Sequence, residues 1–203
     1  MQIINKSSVK KSLAYTWYLY PISAAMLALL WLWSFQAYHQ PSAHQKLNVF
    51  FATDIKNEGF IKDILKKYDP ENLRQVNPSY SLPDGVGYYQ KLKIAINDAD
   101  ILVLTQNSFE SYKDSYGTFF VKVTDYVKEK CQITDNQVFN DYGILLKNGS
   151  DDCYLSQYMD FRPNENYYIA LSVTSKNLGS ALDEKNAYYD NALTFVHYLI
   201  EGV

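Results

Sequence analysis

The chain has 203 residues, 20% of them charged, and a formal net charge of −3. This length fits one domain with or without an accessory segment, and a hydrophobic content of 47% excludes a disordered or low-complexity chain. The near-neutral total excludes a polybasic nucleic-acid binder, so no nucleic-acid partner is predicted. The charge is uneven, because residues 1–44 carry +3 and the remainder, with 16 basic and 22 acidic residues, carries −6.

An uncharged run of 27 residues extends from Ser12 to Tyr38. As a helix it would be about 40 Å long, which is enough to cross a hydrocarbon core of about 30 Å. Tyrosines and tryptophans cluster at both of its ends, as in the aromatic belts of spanning helices. The run is too long and too uniformly apolar for a buried helix of a globular domain, so residues 12–38 are predicted to cross a membrane.

A cleaved signal peptide is the alternative to a permanent anchor. The basic N-terminus fits such a peptide, but the apolar stretch ends in bulky residues and no small-x-small cleavage site follows it. An uncleaved, single-pass signal anchor is therefore predicted. Lys6, Lys10 and Lys11 place residues 1–11 in the cytoplasm by the positive-inside rule. Residues 39–46 then form a tether, and residues 47–203 form an extracytoplasmic (extracellular) domain held at the cell membrane.

The chain has two cysteines, Cys131 and Cys153. In an oxidising compartment such a pair forms a disulfide, and this one would close a loop of about 23 residues, worth about 3 kcal/mol. We therefore expect a Cys131–Cys153 disulfide, with two free thiols as the alternative. The three histidines are scattered along the chain, so neither a metal site nor a cofactor is predicted.

The pattern of residues 47–203 predicts an α/β domain. In its first half, short apolar runs alternate with amphipathic helical stripes, which is typical of a parallel sheet with crossover helices. We expect three layers around a mostly parallel sheet, with strands at 46–53, 73–80 and 99–105 and helices at 58–68 and 86–97.

The second half of the domain is more mixed. The pattern predicts a helix at 124–131, a strand at 167–174 and a closing helix at 188–200. Apolar runs at 142–146 and 153–161 flank Lys147-Asn148-Gly149-Ser150. Because Asn-Gly between apolar runs is a strong turn signal, we expect a β-hairpin there.

Two parts of this pattern resemble the extracellular solute-binding proteins of ABC transporters. Lys46–Thr53, with the helix at 87–97 that leads into Ala99-Asp100-Ile101-Leu102-Val103-Leu104, is similar to the first lobe of that family. The segment 170–177 and the closing helix at 191–200 are similar to its return strand and final helix. The chain is much shorter than a two-lobed receptor and lacks a lipid-anchor cysteine. The resemblance therefore implies a reduced, membrane-anchored, one-lobe relative with a role in transport.

Polar side chains follow two of the predicted strands. Thr53 and Asp54 come after the first, and Gln106, Asn107 and Ser108 come after the strand at 99–105. Ligands of open α/β sheets bind beyond the carboxyl ends of the strands, so these five residues form the predicted ligand-binding site for a small solute. The alternative is that Asp54 and Ser108 cap helices or turns.

Contacts with a protein partner are predicted at two places. Tyr88, Tyr89 and Tyr112 have the amphipathic rings typical of contact surfaces, although packing at the edge of the core is the alternative. In the membrane segment, Ala24 and Ala28 belong to a small-residue face that allows another helix to approach closely. These features predict transporter or envelope-complex subunits as partners.

Catalytic signals are absent from the sequence, which contains no G-x-S-x-G, Walker or H-E-x-x-H motif. We therefore expect no enzyme, but a single-pass, membrane-anchored binding or accessory protein of membrane transport machinery. The alternative is a structural interaction module of a cell-envelope or secretion complex without a small-molecule ligand.

Overall fold

The computed structural model describes residues 16–67, 73–178 and 190–202. The chain divides into two compact units, Met1–Gln40 and Pro41–Val203. The described part of the first unit is dominated by helix α1, Leu19–His39. The second unit is an α/β domain around a six-stranded sheet.

Helix α1 has 21 residues, none of them buried by other parts of the protein. Within the described ranges it is the one helix that is long and apolar enough to span a membrane. The predicted N-terminal apolar helix is thereby confirmed, and it fits a membrane anchor or a signal sequence. Ala24 and Ala28 both lie on its exposed surface. The first residues of the predicted segment, 12–15, lie outside the described residues.

The large sheet of the second unit has the strand order β3-β1-β4-β8-β6-β5, and β2 and β7 form a separate two-stranded sheet. The strands are β1 Lys46–Phe51, β2 Asp54–Ile55, β3 Gln75–Tyr80, β4 Ile101–Thr105, β5 Val138–Phe139, β6 Gly143–Lys147, β7 Met159–Asp160 and β8 Tyr167–Leu171. The helices are α2 Gly59–Lys67, α3 Tyr88–Asp98, α4 Gln106–Glu110, α5 Tyr116–Phe119, α6 Asp125–Cys131 and α7 Asn191–Glu201.

The prediction of a mostly parallel sheet is wrong, because the sheet is mixed. β1 runs parallel to β3 and to β4, as the alternation in the first half predicts. In contrast, β8 returns from the second half and pairs antiparallel with both β4 and β6. A local apolar pattern marks a strand but does not give the direction in which that strand enters the sheet, so only the crossover units were foreseen.

Helices cover both faces of the sheet, since successive residues of a strand point to opposite sides. Leu47, Val49 and Phe51 of β1 pack in one core with residues of α2, α6 and α7. Phe50 and Ala52 pack in a second core with residues of α3, α4 and α5.

The predicted hairpin around Asn148-Gly149 is also wrong. These residues do form a turn, in which Asp151 N donates to Asn148 O and Gly149 has a positive φ of 50°. The following chain, however, forms a 3-10 turn at Tyr154–Gln157 and then pairs β7 with β2 instead of with β6. The hairpin of this region lies earlier, between β5 and β6, where Asn140 and Asp141 both have positive φ.

The expected disulfide is likewise wrong, because Cys131 and Cys153 are both free. Cys131 ends α6 and is buried, with its Sγ donating to Leu193 O of α7 at 3.6 Å. Cys153 is half-buried at the start of the 3-10 turn, with its Sγ 3.5 Å from Ser156 Oγ. The separation of the two cysteines along the chain would allow a disulfide-closed loop. However, α6 packs against α7, and this packing places the Cys131 side chain in the core.

The two thiols are expected to differ in reactivity. Burial raises the pKa of Cys131 to about 12, so almost none of it is thiolate near neutral pH, whereas Cys153 is partly accessible. Maleimide labelling of the unreduced, purified protein, followed by mass spectrometry, should give one label on the folded chain, at Cys153. Two labels are expected in denaturant. Fewer than two labels in denaturant would show that the two cysteines form the disulfide after all.

Candidate functional site

The candidate site lies beyond the carboxyl ends of the parallel strands β1, β3 and β4. Here the chain leaves β1 through Thr53 and enters the short strand β2, which pairs with β7. The Thr53 side chain is buried, and its Oγ1 donates to Asp160 O at 2.7 Å. The Asp54 side chain is exposed, and its Oδ1 accepts from Ile55 N at 2.8 Å. Thr53 therefore links the small sheet to the large one, and the carboxylate of Asp54 lies at the surface.

A second polar group stands at the end of β4, where Thr105 caps helix α4. Thr105 Oγ1 accepts from Ser108 N at 3.3 Å, so the cap is Thr105, whereas the sequence offered Ser108 itself as a capping residue. Ser108 Oγ accepts from Tyr88 Oη at 2.7 Å and from Thr105 Oγ1 at 2.9 Å. All three side chains are buried, so this cluster joins α3 to α4.

Tyr88 belongs to this internal cluster and not to the surface. Its side chain is only 2% exposed, and burial raises its pKa to about 12. The structure thus corrects its predicted role as a partner contact. Its neighbour Tyr89 is 71% exposed, as a contact residue must be. One residue along a helix turns the side chain by about 100°, so only one of the two tyrosines reaches the core.

Gln106 and Asn107 occupy different environments. Gln106 Nε2 donates to Glu110 Oε1 at 2.8 Å, and its Oε1 accepts from Asn166 Nδ2 at 3.0 Å. The Asn107 side chain is exposed. Gln106 therefore ties α4 to the segment that precedes β8, while Asn107 is open to solvent.

Thr53 and Asp54 line a shallow depression of about 240 Å³. The other residues that line it are Tyr80, Ser81, Leu82, Gly85, Val86 and Lys91. None of the three predicted residues after β4 lines it. The structure thus brings together the β1 half of the predicted site and gives the β4 half mainly internal contacts.

The loop between β3 and α3 forms one rim of this depression. Leu82 and Val86 are exposed apolar side chains on that loop, and Tyr89 follows them in the first turn of α3. We call Leu82, Val86 and Tyr89 the loop patch. Asp84 forms an ion pair with Arg162, which anchors the loop to the segment after β7. Because the loop is anchored, these apolar side chains stay exposed to water, and their exposed surface does not contribute to the stability of the fold.

Leu82 and Val86 were not among the predicted contact residues. The signal that could have identified them is their position in Ser81-Leu82-Pro83-Asp84-Gly85-Val86-Gly87, where turn residues surround them. Apolar residues within a Pro/Gly turn belong to no helix or strand whose packing would bury their side chains in the core.

Tyr112 is half-buried in the second core. Its ring packs edge-on against Phe119 at 5.7 Å and against Phe120 at 6.1 Å, and burial raises its pKa. It therefore takes the core-edge role that the sequence allowed as the alternative. In the part of the chain that the structure describes, no group of three or more His, Cys, Asp or Glu side chains is arranged to hold a metal ion.

Comparison of the chain with protein-family models, with curated proteins and with solved structures finds no match.

Proposed function

We propose that this protein is a single-pass, membrane-anchored accessory protein whose extracytoplasmic α/β domain binds a protein component of membrane transport machinery. The observation that carries the proposal is helix α1, an apolar helix of 21 residues with no residue buried by protein. An uncovered helix of this composition is stable when lipid surrounds it. The lysines at positions 6, 10 and 11 favour a cytoplasmic N-terminus, and hence an outer position for the folded domain.

The loop patch supports a protein partner for that domain. Leu82, Val86 and Tyr89 project from one end of the sheet, and the Asp84–Arg162 ion pair holds their loop in place. Exposed apolar and aromatic side chains on a preordered loop are typical of protein contact sites. Ala24 and Ala28 would serve the same partner inside the bilayer, where small residues let helices approach.

Capture of a small solute is the second candidate, and the depression lined by Thr53, Asp54 and Lys91 is the observation that favours it. Its volume of about 240 Å³ suits only a small polar molecule. A one-lobe relative of the solute-binding proteins would bind such a ligand weakly, because no second lobe closes over it. The same outer surface also serves the alternative of a purely structural interaction module.

The test labels cysteines introduced one at a time into the full chain with a membrane-impermeant maleimide, in a Cys153→Ser background in which the remaining Cys131 is buried. In intact cells, Asp151→Cys should react, whereas Ser7→Cys should react only after permeabilisation. Val86→Cys should react several-fold more slowly in intact cells than in the detergent-purified protein, because a partner covers the loop patch. Asp151→Cys, an exposed position elsewhere in the domain, controls for access to the cell surface.

Two results would contradict the proposal. Labelling of Ser7→Cys but not Asp151→Cys in intact cells would place the domain in the cytoplasm. Equal rates for Val86→Cys in cells and in detergent would show that the loop patch has no partner there.

A further inference from the structure

A groove of about 410 Å³ runs between helix α3 and the edge strand β3. Its α3 side presents Lys91, Ile94 and Asp98, and its strand side presents Asn77 and Ser79. Ile94 is 61% exposed although it borders an apolar floor that includes Phe50 and Ala95. This face of the edge strand is therefore left without a covering element in the described part of the domain.

Lys91, Ile94 and Asp98 lie at i, i+3 and i+7, so they form one stripe along α3. Neither Lys91 nor Asp98 makes an ion pair with any described residue. Both charges also oppose the helix dipole, since the lysine is near the positive N-terminal end and the aspartate is the last residue at the negative end. Nothing in α3 offsets them, because its first turn has no acidic residue and its last turn has no basic residue.

The stripe is complementary to itself. The midpoint between Lys91 and Asp98 falls between residues 94 and 95, so a two-fold axis through Ile94 and Ala95 relates the two charges. An antiparallel second α3 then places its Asp98 against Lys91, and its Lys91 against Asp98. A two-fold interface requires this relation, in which residue i contacts residue j and j contacts i.

The edge strand itself favours a helix over a strand as the occupant of the groove. Pro78 lies in the middle of β3 and has no backbone N–H to offer to an added strand. Asn77 and Ser79 beside it present polar side chains that suit the flank of a packed helix.

We propose that α3 is the two-fold interface of a homodimer, in which the groove of each copy receives Lys91, Ile94 and Asp98 of the other. The interface removes two exposed isoleucines from water and pairs all four charges. It is a property of the folded domain and does not depend on the partner proposed above for the loop patch.

The test is oxidative cross-linking of the full chain in the membranes of the expressing cells, with Cys153→Ser as background. Cys131 is buried and takes no part. Ile94→Cys should give a covalent dimer, because the two thiols meet at the axis. Tyr89→Cys is the matched control, since it is exposed on the same helix but about 140° away around it. It should give little dimer.

Charge reversal tests the pairing itself. Adding Asp98→Lys to Ile94→Cys places a lysine at position 98 of each copy against Lys91 of the other copy. This repulsion should lower the dimer yield about tenfold. Adding Lys91→Asp as well should restore it. Asp98→Lys also places a basic residue where the helix dipole favours one, so the Tm of the monomer, measured at a protein concentration too low for dimers, should not fall. A lower yield with an unchanged or higher Tm therefore reports the interface and not the fold.

Three outcomes would overturn the dimer: no cross-link at Ile94→Cys, equal cross-linking at Tyr89→Cys, or a yield that charge reversal leaves unchanged. Failure of the double reversal to restore the yield would overturn the Lys91–Asp98 pairing. Val86→Cys labelling in the Asp98→Lys variant separates this interface from the partner at the loop patch, because slow labelling should persist when the dimer is lost.

Discussion

Phe109→Ala is expected to lower the free energy of unfolding of the α/β domain by about 3–5 kcal/mol. Phe109 is fully buried in α4 at the centre of the second core. Its ring stacks on Tyr116 at 4.6 Å and on Phe120 at 5.4 Å, and it lies 6.0 Å from Tyr168. Removing it leaves a cavity that these rigid rings cannot fill. Denaturant unfolding followed by circular dichroism measures the loss.

Phe119→Ala is the matched control for that experiment. Phe119 is a half-buried phenylalanine at the edge of the same core, so its loss should be clearly smaller. A reciprocal change, Gly143→Val in β6, should also destabilise the domain, because an added Cβ would lie 3.1 Å from Cε1 and Cζ of Phe109. Equal losses for Phe109→Ala and Phe119→Ala would show that Phe109 does not organise this core.

Asp100→Ala is expected to cost about 3 kcal/mol of unfolding free energy. Asp100 stands just before β4, and its carboxylate is 6% exposed. One oxygen accepts from Asn48 N at 2.8 Å, and the other accepts from Ser175 Oγ and from Asn177 Nδ2. These three donors lose their acceptor when the carboxylate is removed. Water has little access to the site and cannot replace that acceptor. Thermal and denaturant unfolding of the variant give the magnitude.

Asp98→Ala provides the comparison, since this acid lies two residues away and is exposed. Its substitution should change the unfolding free energy of the monomer, measured at a protein concentration too low for dimers, by no more than about 0.5 kcal/mol. If Asp100→Ala lowered the unfolding free energy as little as Asp98→Ala, the Asp100 carboxylate would not be what joins β1, β4 and the segment after β8. The contacts of the Asp100 carboxylate are thus all made within the fold.

The local pattern of the sequence was enough to predict most elements. Strand β4 is a continuous apolar run, and helix α2 has an apolar stripe with lysines on its outer side. The helix predicted at 124–131 begins at its capping residue Thr124, whose Oγ1 accepts from Val127 N at 3.4 Å. Such features depend on residues within one or two turns of each other, so the sequence contains them directly.

Pairing between distant segments was not predictable in the same way. The direction of β8 between β4 and β6, and the pairing of β7 with β2, depend on how the second half of the chain returns to the first. The Asn148-Gly149 turn has the local signal of a hairpin, yet the chain beyond it finds a better partner elsewhere. Register and direction are decided by the total burial of the domain and not by the turn alone.

The candidate site shows the same division. Thr53 and Ser108 were identified as polar residues at strand ends, which is where they lie, but their hydroxyl groups are used in contacts with Asp160 and with Tyr88 and Thr105. A buried hydroxyl needs a hydrogen-bond partner, and the sequence does not tell which distant residue will supply it. Leu82 and Val86 of the loop patch and the groove beside α3 were likewise not predicted.

By itself, the sequence determined an apolar N-terminal helix and an α/β domain, because both follow from hydrophobic periodicity over neighbouring residues. Only the tertiary structure decided that the sheet is mixed, that Cys131 is buried apart from Cys153, and that Tyr89 faces solvent while Tyr88 does not. These outcomes depend on which distant surfaces meet when the core closes, and the cost of an unpaired polar group or an empty space fixes that choice.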